Sequence, residues 1–194
     1  MRTVAAQVLD SAIPVLAKDR GASMQAIATR AGISRATLTR MFPTRQLLVQ
    51  AMAAKILDDC DQALTRAEAH TGFTDEVLAG LVDEYRPFAQ LWNLVYVEPD
   101  VLGAPEATER AEEVFARVVA LLATGQDAGV LRSDMPATWL ASTFCGLAET
   151  AWELTLEGHM GTRQAPGFLT TVLLHGLSTP AGTRVAPAAG SLER

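Results

Sequence analysis

"ASMQAIATRAGISRATLTRMFPTRQLL" occupies residues 22–48, and its punctuation decides how the chain folds. Ser23, Ser34 and Thr44 each stand where a side-chain oxygen can cap the first amides of a helix. Gly32 stands where one helix must stop and the chain reverse, which requires a residue that tolerates φ > 0. Pro43 makes the next break. The spacing predicts helices over 24–31, over 35–41 and from 45 onward. Two such short helices cross steeply, and the crossing makes demands on composition. Ala28 is small where the backbones approach. Ile27, Ala31, Ile33, Leu38 and Met41 recur at the offsets that face a supporting helix. The rest of the third helix (Ser34, Arg35, Ala36, Thr39 and Arg40) then points outward together.

That outward face carries two arginines and no carboxylate. A major groove accepts one helix, a guanidinium can bond a guanine edge bidentately, and phosphate oxygens accept from N–H and hydroxyl donors at a helix start. Read this way, residues 24–43 form a helix-turn-helix. A plain helical hairpin with solvated arginines is the alternative, and the Ala-x-x-x-Gly spacing alone would not exclude it. The charge distribution weighs against it. Residues 1–50 hold seven basic and two acidic residues, a balance of +5, whereas residues 51–194 hold nine basic and twenty acidic, a balance of −11. A basic head on an acidic body suits a protein of which one end meets a polyanion.

Residues 22–48 also resemble the N-terminal domain of TetR-family transcriptional regulators. The family pattern is matched by Ile27, Ala28, Ala31, Gly32, Ile33, Ser34, Thr37, Leu38, Phe42, Leu47 and Leu48. Three positions depart from it. Thr39 stands where tyrosine is usual, Met41 where histidine is common, and Arg45 replaces a lysine. The resemblance implies that Arg35, Ala36, Thr39 and Arg40 read or border bases, while Ser23, Ser34, Thr37 and Arg45 hold phosphates. It also implies a regulator, more a repressor than an activator, that binds a palindromic operator as a dimer and is released by a small molecule. Thr39 and Met41 leave a second reading open: a ligand-binding or interaction protein on the same scaffold with weak or lost operator specificity.

Beyond residue 50 the periodicity stays helical. Further helices are expected over 45–69, 75–96, 105–128, 136–157 and 166–177, after a first one over 3–19 that contains Pro14. No segment alternates with period two, so the expected class is all-α, with no sheet. The expected organisation is a three-helix DNA-binding domain over 1–46, a helical ligand-binding and dimerisation domain over 47–177, and a disordered Pro/Ala/Gly-rich tail over 178–194. Leu140, Phe144, Leu147, Ala151 and Leu154 recur at helical spacing, as do Leu169, Val172, Leu173 and Leu177. By resemblance, 136–157 and 166–177 of two copies form a four-helix dimer interface; read alone, the same stripes could be monomer core.

Aromatic residues concentrate in this second part. The family places an effector pocket within the helical body, and Trp92, Tyr96, Phe115, Phe144 and Trp152 are the expected lining, with Asn93, Thr143 and Glu149 as polar handles. Core packing is the competing reading for each. Glu149 and Glu153 on an otherwise apolar helix would favour a cationic ligand if they faced it.

Other classes find little support. The longest apolar runs fall well short of the roughly 20 residues a membrane span needs, and the expected location is cytoplasmic. Cys60 and Cys145 lie outside any metal or redox spacing. His70, His159 and His175 are isolated, and no nucleotide-binding or nucleophile motif occurs. Neither a catalytic function nor a cofactor or metal is expected.

Overall fold

The caps read from residues 22–48 are all formed. In the computed structural model, which describes residues 4–19, 21–97 and 105–177, Ser23 Oγ accepts from the Ala26 amide at 3.2 Å, Ser34 Oγ from Thr37 at 3.1 Å and Thr44 Oγ1 from Leu47 at 3.2 Å. Gly32 adopts φ 69°. Around it the Ile33 amide donates to Ala28 and the Gly32 amide to Thr29, the paired bonds that close a helix on a left-handed residue.

Among the described residues the elements are α1 (Val4–Lys18), α2 (Met24–Arg30), α3 (Arg35–Met41), α4 (Arg45–Glu68), α5 (Asp75–Asp83), α6 (Arg86–Val97), α7 (Pro105–Asp127), α8 (Ala137–Leu156) and α9 (Ala165–Leu177), with no strand. The protein is all-α. α2 packs against both α1 and α3, and Val8, Ala12, Ile27, Ala28 and Leu38 are all buried. α1 continues through Pro14 to Lys18. The body is built on α8, which packs against α6, α7 and α9. No helix among the described residues is long and apolar enough to cross a membrane. Residues 178–194, expected as a tail, lie outside the described residues, as do the side chains of Tyr96 and Leu177.

One expected element is two. The single helix over 75–96 is broken at Glu84 and Tyr85. Pro87 has no amide proton for the Asp83 carbonyl, and its ring crowds that carbonyl. α5 therefore ends at Asp83, and α6 restarts with Pro87 in its first turn, where a missing donor costs nothing.

α4 joins the two parts. Near its start, Arg45 donates to the Ala22 carbonyl at 2.8 Å, and Lys55 reaches Asp10 of α1 at 2.9 Å. Its second half faces α7, where Arg110 bonds Asp58 at 2.8 Å and Asp61 at 3.0 Å. Arg117 bonds Asp61 at 2.8 Å and Glu68 at 2.7 Å. One rod thus carries polar grips on the head at one end and on the body at the other.

Candidate nucleic-acid interface and effector cavity

α3 presents the residues that its periodicity predicts. Leu38 is fully buried against the head, while Ser34, Arg35, Ala36, Thr39 and Arg40 are exposed. Thr37 is half-buried, and its hydroxyl lies 2.9 Å from Ser34 Oγ. The capping serines stand at the starts of α2 and α3, so their hydroxyls, engaged with the first turns, sit beside backbone amides directed outward. Lys18, Arg30, Arg35 and Arg40 form no ion pair among the described residues. In the body, Lys55, Arg66, Arg110, Arg117 and Arg132 are all ion-paired. The free cations of the head thus share a domain with an exposed, capped helix.

Arg45 is placed differently from its neighbours. Its guanidinium is half-buried and holds the Ala22 carbonyl, one residue before the α2 cap. It fixes where α2 begins. This contact joins residues 23 positions apart, which no local pattern reveals.

The body contains a cavity of about 610 Å³. Phe88, Leu91 and Trp92 of α6 form one wall, Thr108, Ala111, Glu112, Phe115 and Val118 of α7 another, and Cys145 of α8 the floor. The lining is almost wholly apolar. Burial pushes the Cys145 thiol up to about 12, so at neutral pH it acts as an apolar surface rather than a nucleophilic thiolate.

Two of the five expected lining residues, Trp92 and Phe115, lie on this cavity. The side chain of Tyr96 lies outside the described residues. Phe144 is buried behind the wall, with its ring edge-on to Phe88 at 5.4 Å between centroids. It supports the cavity without lining it. Trp152 is buried at the junction of head and body, around a small void shared with Ile13 and Leu16 of α1, Met52 and Ile56 of α4 and Leu94 of α6. Both corrections have one cause: α8 packs against α6, α7 and α9, and Phe144 and Trp152 stand on its enclosed faces. Asn93 and Glu149 are hydrogen-bonded to each other away from the cavity. There, burial and the Glu153 charge raise the Glu149 carboxyl above its usual range, with the Asn93 bond opposing. Thr143 bonds the Trp139 carbonyl within α8.

The sequence reading missed Phe88, Leu91, Thr108, Ala111, Glu112 and Cys145. The α7 members were visible as a set, since positions 108, 111, 112, 115 and 118 share one helical face, but nothing local says that α6 leaves space opposite that face.

The sequence model of the family described as "Bacterial regulatory proteins, tetR family" matches residues 16–52, which span the end of α1 to the start of α4. The chain is 29% identical over 172 residues to the HTH-type transcriptional repressor LfrR of Mycolicibacterium smegmatis, covering 89% of each. The head of this chain is thus similar to that of tetR-family regulators. The chain is also 29% identical over 188 residues to the HTH-type transcriptional regulator NfxB of Pseudomonas aeruginosa, covering 89% of this chain and 94% of that one. The crystal structure of LfrR in complex with proflavine superposes with a TM-score of 0.67 at 28% identity, over 91% of this chain and 98% of that one. The relatives that the chain resembles along most of its length are transcriptional regulators, and the matched segment is the one that carries the exposed α3.

Proposed function

We propose that the protein is a homodimeric repressor whose two α3 helices read the half-sites of a palindromic operator, and that a small molecule in the α6–α7–α8 cavity releases it. The observation that carries the reading is the exposed Arg35 and Arg40 pair on a capped helix, without an ion pair among the described residues, whereas Lys55, Arg66, Arg110, Arg117 and Arg132 are all paired. Arg35, Ala36, Thr39 and Arg40 border the bases; Ser23, Ser34 and Thr37 supply donors to phosphates. Arg45 sets the position of α2 and brings its positive charge towards a phosphate at the start of α4.

Dimerisation is supported by α8 and α9. Trp139, Leu154, Phe168 and Val172 are large apolar side chains left 49%, 37%, 58% and 47% exposed. A second copy covering them would bury that surface at about 25 cal/mol per Å² of apolar area. A dimer also gives each short recognition helix a second half-site. The domain boundary near residue 46 falls at the start of α4, which belongs to both parts.

Release follows the contacts of α7. One face of α7 forms the cavity wall, and the other is tied to α4 through Arg110 and Arg117. A molecule that displaces α7 therefore moves α4, and with it the head that Lys55 and Arg45 hold. Coupling is reciprocal, so operator binding weakens effector binding by the same factor. That LfrR is crystallised with proflavine supports a small-molecule effector on this scaffold.

Selection of random-sequence duplex DNA on the purified protein at near-physiological salt tests the proposal. An enriched inverted repeat is the expected outcome. Salt-sensitive bulk binding without enrichment would instead support the ligand-binding scaffold that lacks operator specificity.

A further inference from the structure

We infer that the α6–α7–α8 cavity selects an apolar aromatic cation, with the Glu112 carboxylate as its counter-charge. The inference rests on the reading of this cavity as the effector site and adds the chemistry of the occupant. Three features of the walls carry it.

The first is the single sign of charge. Glu112 is the only ionisable carboxylate in the described lining, and no basic residue accompanies it. The nearest arginines of α7 are turned away: Arg110 is held by Asp58 and Asp61, and Arg117 by Asp61 and Glu68, on the α4 side. An anion entering this cavity would lose its water and meet no positive partner, a large cost in an apolar site.

The second is the state of Glu112 itself. It is exposed at the rim and makes no ion pair among the described residues. Glu68 and Glu84, by contrast, are tied to Arg117 and Arg66. An unpaired carboxylate beside an apolar wall is free to compensate a positive ligand, and partial exclusion of water by that wall strengthens the attraction. The third is aromatic surface. Phe88, Trp92 and Phe115 line the cavity from two helices, and aromatic rings attract a cation as well as apolar area. Neutral polar ligands are poorly served, because beyond Thr108 and Glu112 the walls have few groups to bond them.

Three probes of similar apolar character test this on the full chain: tetraphenylphosphonium, tetraphenylborate and the neutral fluorophore N-phenyl-1-naphthylamine. Fluorescence gain measures binding of the neutral probe, and its displacement measures binding of the two ions. The expected result is that the phosphonium binds about tenfold or more tightly than the borate, equivalent to about 1.4 kcal/mol. Glu112→Gln should remove most of that preference and Glu112→Lys should invert it; Glu112 is exposed, so both variants keep the fold. If the neutral probe binds but the borate competes as well as the phosphonium, the charge selection is wrong while the effector cavity stands. A preference left intact in Glu112→Gln would overturn the assignment of the counter-charge. Failure of all three probes to bind would overturn the cavity reading and this inference with it.

Discussion

The head and the body use the same residue in opposite ways. In the body, four of the six described arginines, Arg66, Arg110, Arg117 and Arg132, are engaged by carboxylates, with Arg86 and Arg163 the exceptions. In the head, Arg30, Arg35 and Arg40 are exposed, with no ion pair among the described residues. An arginine given a nearby carboxylate holds a fold together, whereas one denied it remains available to an external anion. The acidic residues that would pair the head's arginines are concentrated beyond residue 50, and α4 keeps the two populations apart. The Arg110 and Arg117 pairs are partly exposed, so each contributes modestly to stability, but sharing Asp61 makes them a network rather than isolated contacts.

The contrast can be broken most directly in the head. Replacing Arg35 and Arg40 together by Ala should lower specific operator affinity by about 100-fold or more, since each base contact of this kind is worth about 1–3 kcal/mol. Thermal unfolding should be unchanged, because neither side chain holds the fold. Arg35→Ala alone should relax the preference at particular base pairs. Retention of parental affinity and sequence preference in these variants would remove α3 from the interface.

Arg45 sharpens the comparison because it holds the fold of the head and is also proposed to meet phosphate. Arg45→Ala should lower stability by about 1–2 kcal/mol through loss of a charged hydrogen bond to the Ala22 carbonyl. It should also weaken binding to all duplexes similarly and flatten the salt dependence. Denaturant unfolding together with affinity measured across a salt series separates the two effects.

In the body, Arg117→Ala should cost about 1 kcal/mol of stability while leaving operator affinity unchanged in the absence of effector. Its signature is weaker release of DNA by a bound molecule, measured as the ratio of operator affinities with and without tetraphenylphosphonium. An unaltered ratio would show that α7 does not act on α4 through this arginine.

The smallest expected effect is at Glu149. Burial first, and then the Glu153 charge, raise its carboxyl above the ordinary range. The folded state therefore holds that proton more tightly than the unfolded chain does, and the group opposes folding once ionised. That opposition is present at neutral pH and fades as pH falls through the folded value. Glu149→Gln should raise Tm slightly at neutral pH, and the gain should shrink towards acid. A gain constant with pH would assign the effect to packing.

The head was legible because its determinants are local. Capping oxygens at Ser23, Ser34 and Thr44, a left-handed Gly32 and the buried positions Ile27 and Leu38 all act within a few residues, so their pattern survives in the linear chain. The α5–α6 break was equally local, since Pro87 announces it, yet the apolar periodicity over 75–96 runs across the break and conceals it. The cavity was legible only in part. Trp92, Phe115, Phe144 and Trp152 look alike as aromatic residues at helical spacing, and they separate into wall, wall, support and junction only when α6 and α7 are set against α8.

The sequence by itself determined an all-helical chain, the two crossing helices of the head, the outward face of α3 and the opposite charges of head and body. These follow from capping, backbone conformation and side-chain period, which are properties of neighbours along the chain. The tertiary structure alone decided that Arg45 holds Ala22, that Arg110 and Arg117 turn to α4 and leave Glu112 alone beside the cavity, and that Trp152 seals the head to the body. Those outcomes depend on which helix faces meet across tens of residues, and meeting is decided by packing of the whole core.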